Sequence, residues 1–156
     1  MKLPLRHKQP FADYRLMAPA RQKALAVVVN YNSGDRLGPL LDVLEPEVRH
    51  VIVVDNASRD GSQKPAENRE RTTLIQNEKN RGFAAAVNQG ALLATEEDDW
   101  IVLVNDDAHV RPGEMTQLLT DVPAECAVIA ALQVSFQDKK LPESGGYDPS
   151  IPRYLV

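Results

Sequence analysis

Three runs of apolar, largely β-branched residues, at positions 25–29, 51–54 and 101–104, lack the polar alternation of a strand with one wet face. Unbroken runs of this kind predict strands buried on both faces, the habit of a parallel sheet. Weaker runs at 72–76 and at about 127–134 predict two more strands. Between the strands the period lengthens. Leu37, Leu40, Leu41 and Leu44 recur at i, i+3, i+4 and i+7, which predicts one apolar helical face, with Pro46 as the expected stop. Across residues 82–95, Phe83, Ala86, Val87, Gly90 and Ala94 follow the same period, and the small residues suit a helix lying close to a sheet. Pro112 and Gly113 are expected to open a third helix carrying Met115, Leu118 and Leu119, because proline fits a first helical position. Trp100 and Phe83 are expected in the core. Strands alternating with helices predict right-handed crossovers and an α/β fold built on a mostly parallel sheet.

Length and composition narrow this without changing it. A chain of 156 residues, 43% hydrophobic and 26% charged, reads as one globular domain with a real core. No run is long enough to cross a membrane as a helix, and the N-terminus lacks the apolar core of a secretory signal, so a cytoplasmic location is expected. The lone Cys126 falls in an apolar run and reads as a buried, inert thiol, with no disulfide framework and no zinc pattern. The net charge of −4 is unevenly spread, since residues 1–23 hold six of the 18 Lys/Arg against Asp13 alone. We therefore divide the chain into a basic extension, 1–23, and an acidic domain, 24–156. The extension reads as a loosely ordered tail, the alternative being a peripheral contact with an anionic membrane surface. An acidic body argues against nucleic acid as a partner.

Chemistry is sought where the strands of a parallel sheet end, because ligands bind beyond their carboxyl ends. The first strand runs into Asn30-Tyr31-Asn32-Ser33, the second into Asp55-Asn56-Ala57-Ser58, and the one from Trp100 into Asn105-Asp106-Asp107. Turns and helix caps use the same residue types, and Asp60-Gly61-Ser62 is turn chemistry in its own right. Three such exits at one sheet edge nevertheless point to a ligand. Adjacent carboxylates at 106 and 107 repel unless a cation compensates them. Asp55 can accept the ring N–H of a pyrimidine, and Tyr31 can pack on a base or ribose. Arg81 precedes the helix that starts near Gly82, a place suited to anions. Mg²⁺ or Mn²⁺ at Asp107 would reconcile these carboxylates with a diphosphate. Asp55 and Asp107 are accordingly expected side by side on neighbouring strand tips. His109 reads as an exposed loop histidine.

The ordered segments V-V-V-N-Y-N, I-V-V-D-N-A-S-R-D-G-S, N-E-K-N-R-G-F-A-A-A-V-N-Q-G and L-V-N-D-D-A resemble family 2 glycosyltransferases of the GT-A, Rossmann-like fold, in particular rhamnosyltransferase-like members. The likeness runs from about residue 24 to 146. It implies that Asn30 and Tyr31 flank the base, that Asp55 reads it, and that Asn32, Asn56, Ser58, Arg81 and Gly82 lie at the nucleotide sugar. It also implies that Asn105-Asp106-Asp107 stands at the Asp-x-Asp metal motif, with Asp107 the metal ligand and Asp106 near the ribose or sugar. Here the first position is an amide, Asn105, which contributes no charge. Residues 139–147 look like the loop that follows the donor half.

The resemblance implies metal-dependent, inverting transfer of a hexosyl group from a nucleoside-diphosphate sugar to the hydroxyl of a glycan or lipid-linked acceptor, as in cell-surface polysaccharide synthesis at the inner face of the membrane. The acceptor half of such enzymes, with the catalytic base, is expected beyond Val156, and neither Glu143 nor Asp148 is covered by the motif. Two alternatives compete: a non-catalytic fragment that only binds the donor, and a receiver-type module in which Asp55 accepts a phosphoryl group. A receiver would carry an acidic pair after the first strand, where this chain has Asn30 and Asn32. The G-x-G-x-x-G of dinucleotide enzymes and the Gly-rich, lysine-ended loop of nucleoside triphosphatases are both lacking.

Overall fold

The computed structural model describes residues 22–120 and Val122. The basic extension, the expected strand at 127–134, Cys126, the loop at 139–147, Glu143 and Asp148 lie outside those residues, apart from Gln22 and Lys23. Four strands, β1 (Gln22–Asn30), β2 (Val48–Asp55), β3 (Thr72–Gln76) and β4 (Trp100–Asn105), alternate with three helices, α1 (Leu37–Glu47), α2 (Phe83–Ala91) and α3 (Glu114–Thr120). All strand pairs are parallel, in the order β3-β2-β1-β4. The fold is α/β on a parallel sheet, as the periodicity predicts, and Rossmann-like, as the resemblance implies.

Alternate residues of β1 feed two cores. Ala24, Ala26 and Val28 pack with α1 and α3 through Leu37, Leu41, Leu44, Met115 and Leu118. Leu25, Val27 and Val29 pack with Ile52, Val54 and Ala86 under α2. Helices therefore cover both faces, which is why β1 and β2 read as unbroken apolar runs. Gly90 lets α2 settle onto the sheet: a Cβ built there would stand 2.5 Å from a methyl of Val27.

Three expectations need correction. Helix α1 runs past Pro46 to Glu47. The missing proline N–H costs one bond, but the Val48 N–H still reaches the Leu44 carbonyl, and Glu47 is buried with its carboxylate taking the Gly113 N–H at 2.6 Å and the Thr116 N–H at 2.9 Å. A tertiary anchor thus extends the last turn. Strand β4 is not buried on both faces: Ile101 and Leu103, in register with Leu25 and Val27, are exposed beside α2, which packs over β1 and β2. Phe83 is 54% exposed rather than in the core, while Trp100 is partly buried against the first cluster. A helix following a parallel strand starts at the carboxyl edge of the sheet, so its first residue overhangs the strand tips and finds no sheet beneath it.

The chain leaves β1 toward β2 on one side and reaches β4 on the other. The carboxyl ends of β1 and β4 therefore flank the point where strand order reverses, the crevice in which open α/β sheets bind ligands.

Candidate functional site

The last residues of β1 and β2, Asn30 and Asp55, are partners in the parallel register. Both are buried, and their side chains join: the Asn30 amide donates to Asp55 Oδ1 at 2.7 Å, to Ser62 Oγ at 3.0 Å and to Ser58 Oγ at 3.1 Å. Its carbonyl oxygen accepts from Ser33 Oγ at 2.5 Å. Asp55 also takes the Ser58 N–H at 3.0 Å and the Ser58 hydroxyl at 2.5 Å. Buried polar groups must find partners, and here neutral donors from two loops supply them. Asn30 is consumed in holding Asp55 and the two loops, so its place in the site is structural support rather than an open contact.

Two loops follow from those strands and are laced together. Asn32, at φ 51°, donates its N–H to Ser58 Oγ at 3.0 Å and accepts the Arg59 N–H at 2.9 Å. Asp60 accepts from the N–H groups of Gly34 at 3.0 Å and Ser62 at 2.9 Å, and these bonds, led by those from Ser62, hold its carboxyl below the usual carboxylate range. Ala57 sits at φ 68°, a left-handed conformation that costs a non-glycine residue about 1–3 kcal/mol and persists because its neighbours fix it.

Asn56 ties β2 to the third loop. Its side chain accepts from Asn77 Nδ2 at 3.1 Å and from the Arg81 N–H at 3.2 Å, and donates to the Gly82 carbonyl at 3.2 Å. Gly82, at φ 83°, turns the chain into α2 with Asn80 Oδ1 accepting its N–H at 2.8 Å. Across the crevice, Asp106 Oδ2 accepts the Tyr31 N–H at 3.4 Å.

Two clefts open over this framework. One, of about 800 Å³, is lined by Tyr31, Asn32, Asp55, Ser58, Arg59 and Gln63 on one side and by the segment from Gln76 to Asn80 on the other. The second, of about 320 Å³, lies over the crevice and is lined by Val29, Tyr31, Asn56, Asn80, Gly82, Phe83, Asn105 and Asp106. Tyr31 and Asn80 belong to both, so the clefts share a wall.

Most of the residues expected at the site from the sequence therefore gather on one rim. Asp55, Asn32, Ser58 and Tyr31 face the larger cleft; Asn56, Gly82, Asn105 and Asp106 face the smaller one. Arg81 and Asp107 are exposed but line neither. His109 is exposed too. One expectation fails outright: Asp55 and Asp107 are not on neighbouring strand tips, because β1 lies between β2 and β4. Two strand spacings, about 10 Å, separate those tips. Among the described residues, no group of three or more His, Cys, Asp or Glu is placed to hold a metal ion. Phe83, Asn77, Lys79 and Asn80 line the clefts as well, although the N-E-K-N-R-G-F segment that holds them carried no expected site role for them. The last three follow the exit of β3, a short and only partly buried strand whose pattern marks its end less plainly than those of β1 and β2.

The sequence model of glycosyl transferase family 2 matches residues 25–151, and the chain belongs to that family. It is thus a glycosyltransferase-type domain, with the α/β architecture of the GT-A fold. No curated protein and no solved structure matches the chain. No helix among the described residues is long and apolar enough to cross a membrane.

Proposed function

We propose that this domain binds a nucleoside-diphosphate sugar and presents it for transfer to an acceptor hydroxyl. The observation that carries the reading is the pair of clefts sharing Tyr31 and Asn80, one lined by Asp55 and the other by Asp106. Their offset along the strand tips suits an elongated guest, with a base at Asp55, a ribose near Tyr31 and a diphosphate toward β4. Asp55 accepts the ring N–H of a pyrimidine; Tyr31, 49% exposed, offers a ring to the base or ribose.

Family membership makes a divalent cation a natural companion of the donor, and the Asn105-Asp106-Asp107 segment at the end of β4 is its proposed place. Asp107 is exposed beside Asp106 and Asn105, a sparse oxygen set. Mg²⁺ and Mn²⁺ commonly take one or two carboxylates and complete their coordination with phosphates and water. Asp107 would hold such an ion, with Asp106 next to it, and the ion would supply positive charge to the departing diphosphate. Transfer is proposed to proceed with inversion: the acceptor oxygen forms the new bond to the anomeric carbon as the bond to the diphosphate breaks, and the acceptor proton passes to a base. The base, the acceptor-binding half, a rhamnosyl-type donor and a role in surface polysaccharide synthesis stay part of this proposal.

Phosphoacceptor chemistry at Asp55 is disfavoured, because the residue opposite it at the end of β1 is the amide Asn30, which donates to it, where a receiver would carry an acidic pair. Titration calorimetry with UDP, dTDP and GDP, each with and without Mn²⁺, tests the reading. One nucleotide is expected to bind with Mn²⁺, and Asp107→Ala is expected to remove the dependence on the ion. An unaltered Mn²⁺ dependence in that variant overturns the metal assignment, and absence of nucleotide binding overturns the whole.

A further inference from the structure

Phe83 is the largest apolar side chain that the architecture leaves uncovered at the rim. It is 54% exposed, at the first turn of α2, while the same helix buries Ala86 and Gly90 against the sheet. Its ring lines the 320 Å³ cleft together with Tyr31, Asn80, Asn105 and Asp106. An exposed phenylalanine has no hydrogen bond to offer solvent, so its placement in a concave site beside three polar groups points to a guest with one apolar face and several hydroxyls. A pyranose ring has that character: axial C–H bonds present one face to an aromatic ring, and the equatorial hydroxyls project sideways toward amides and carboxylates.

Size and position separate the sugar from the nucleoside. The smaller cleft lies near the lower end of the usual range for ligand pockets, about 300–1,000 Å³, and suits a single ring. The larger cleft, lined by Asp55, takes the nucleoside under the proposed function. The shared wall at Tyr31 and Asn80 lets one ligand occupy both.

We propose that Phe83 is the platform for the donor sugar, packing against the C–H face of the transferred hexosyl ring, with Asn80, Asn105 and Asp106 toward its hydroxyls. The proposal rests on the nucleotide-sugar reading above and deepens it. It makes Phe83 a residue that discriminates among sugars: rings with an uninterrupted C–H face bind, and rings whose axial hydroxyls interrupt that face bind less well.

The test is titration of the full chain, in Mn²⁺, with the nucleoside diphosphate it prefers among UDP, dTDP and GDP and with the matching sugar nucleotide, UDP-glucose, dTDP-glucose or GDP-mannose. Phe83→Ala is expected to weaken the sugar nucleotide about three- to tenfold, the usual worth of an aromatic contact, and to leave the free diphosphate within about twofold. Phe83→Tyr, which keeps the ring, is expected to restore sugar-nucleotide binding. Equal weakening of both ligands overturns the proposal by assigning the ring to the nucleoside, and unchanged binding of both overturns it by assigning the ring to neither. Wild-type chain that binds no nucleotide overturns the donor-binding reading and this inference with it, whereas wild-type binding with Phe83 silent sinks the inference alone.

Discussion

Asn30 donates its side-chain amide to Asp55 across 2.7 Å, joining the tips of two adjacent parallel strands beneath the proposed nucleoside cleft. The same amide reaches Ser58 and Ser62, so one residue organises the carboxylate and the loop that follows it. Asn30→Ala removes every one of these donors. Losing these buried bonds costs about 1–3 kcal/mol of unfolding free energy, and a lower melting temperature is expected by thermal denaturation. Nucleotide binding should weaken in parallel, since Asp55 loses its fixed orientation. A variant as stable as the parent would show that the network does not hold the rim.

Packing of α2 on the sheet gives a second expectation. A methyl at position 90 would meet Val27 Cγ1 at 2.5 Å, and both Val27 and Val54 also approach it at 3.3 Å. Gly90→Ala should destabilise by about 1–3 kcal/mol, the range of overpacked cores, despite alanine's better helix propensity. Val27→Ala in the same chain makes room, so the double variant should lose less than the sum of the single ones. Additive losses in chemical denaturation would argue against a direct clash.

Glu47 offers a third. Its buried carboxylate accepts two N–H groups at the start of α3, doing from another helix what a capping side chain does locally. Glu47→Ala should cost about 0.5–2 kcal/mol, as lost caps do, and should speed hydrogen exchange at Gly113 and Thr116 more than at β1. Uniform acceleration across the domain would point to global loosening instead.

Stability should also fall in mild acid. Burial, reinforced by the neighbouring Arg49, holds the His50 pKa below its ordinary 6.5. The unfolded chain therefore takes up the proton first, and stability present above about pH 6.5 is lost as the pH falls toward the folded-state value. Asp98 acts lower. The Arg49 hydrogen bonds, at 2.6 Å each, hold its carboxyl below the usual carboxylate range, so its contribution persists above its unfolded pKa of about 3.8 and vanishes in stronger acid. Melting curves from pH 7.5 to 5.5 should thus flatten in His50→Gln, and the drop below pH 4 should shrink in Asp98→Asn. Parallel curves for His50→Gln and the parent would remove the histidine from this account.

How much of this could be read beforehand varies with the residue. Strands β1 and β2 were legible because two helical layers leave no polar position at 25–29 or 51–54, the stretches buried on both faces. The leucines of α1 were legible for the same reason, as all four are buried. Pro46 misled because a proline's local preference carries no knowledge of Glu47 and its distant N–H partners. Phe83 misled because periodicity assigns a face without saying where the sheet beneath it stops. Asp55 and Asp107 were rightly placed on one edge, yet their separation depends on strand order, and chain order alone does not reveal that β1 stands between them.

The Asn56 side chain fastens the Arg81 and Gly82 backbone to the end of β2, one of the two most deeply embedded strands. A rim clamped in this way inherits the stiffness of the central sheet and has little freedom to reshape around different visitors. Under the proposed function, selectivity would reside in the identity of a few projecting side chains, so a change of donor preference is expected from point substitution, without remodelling any loop.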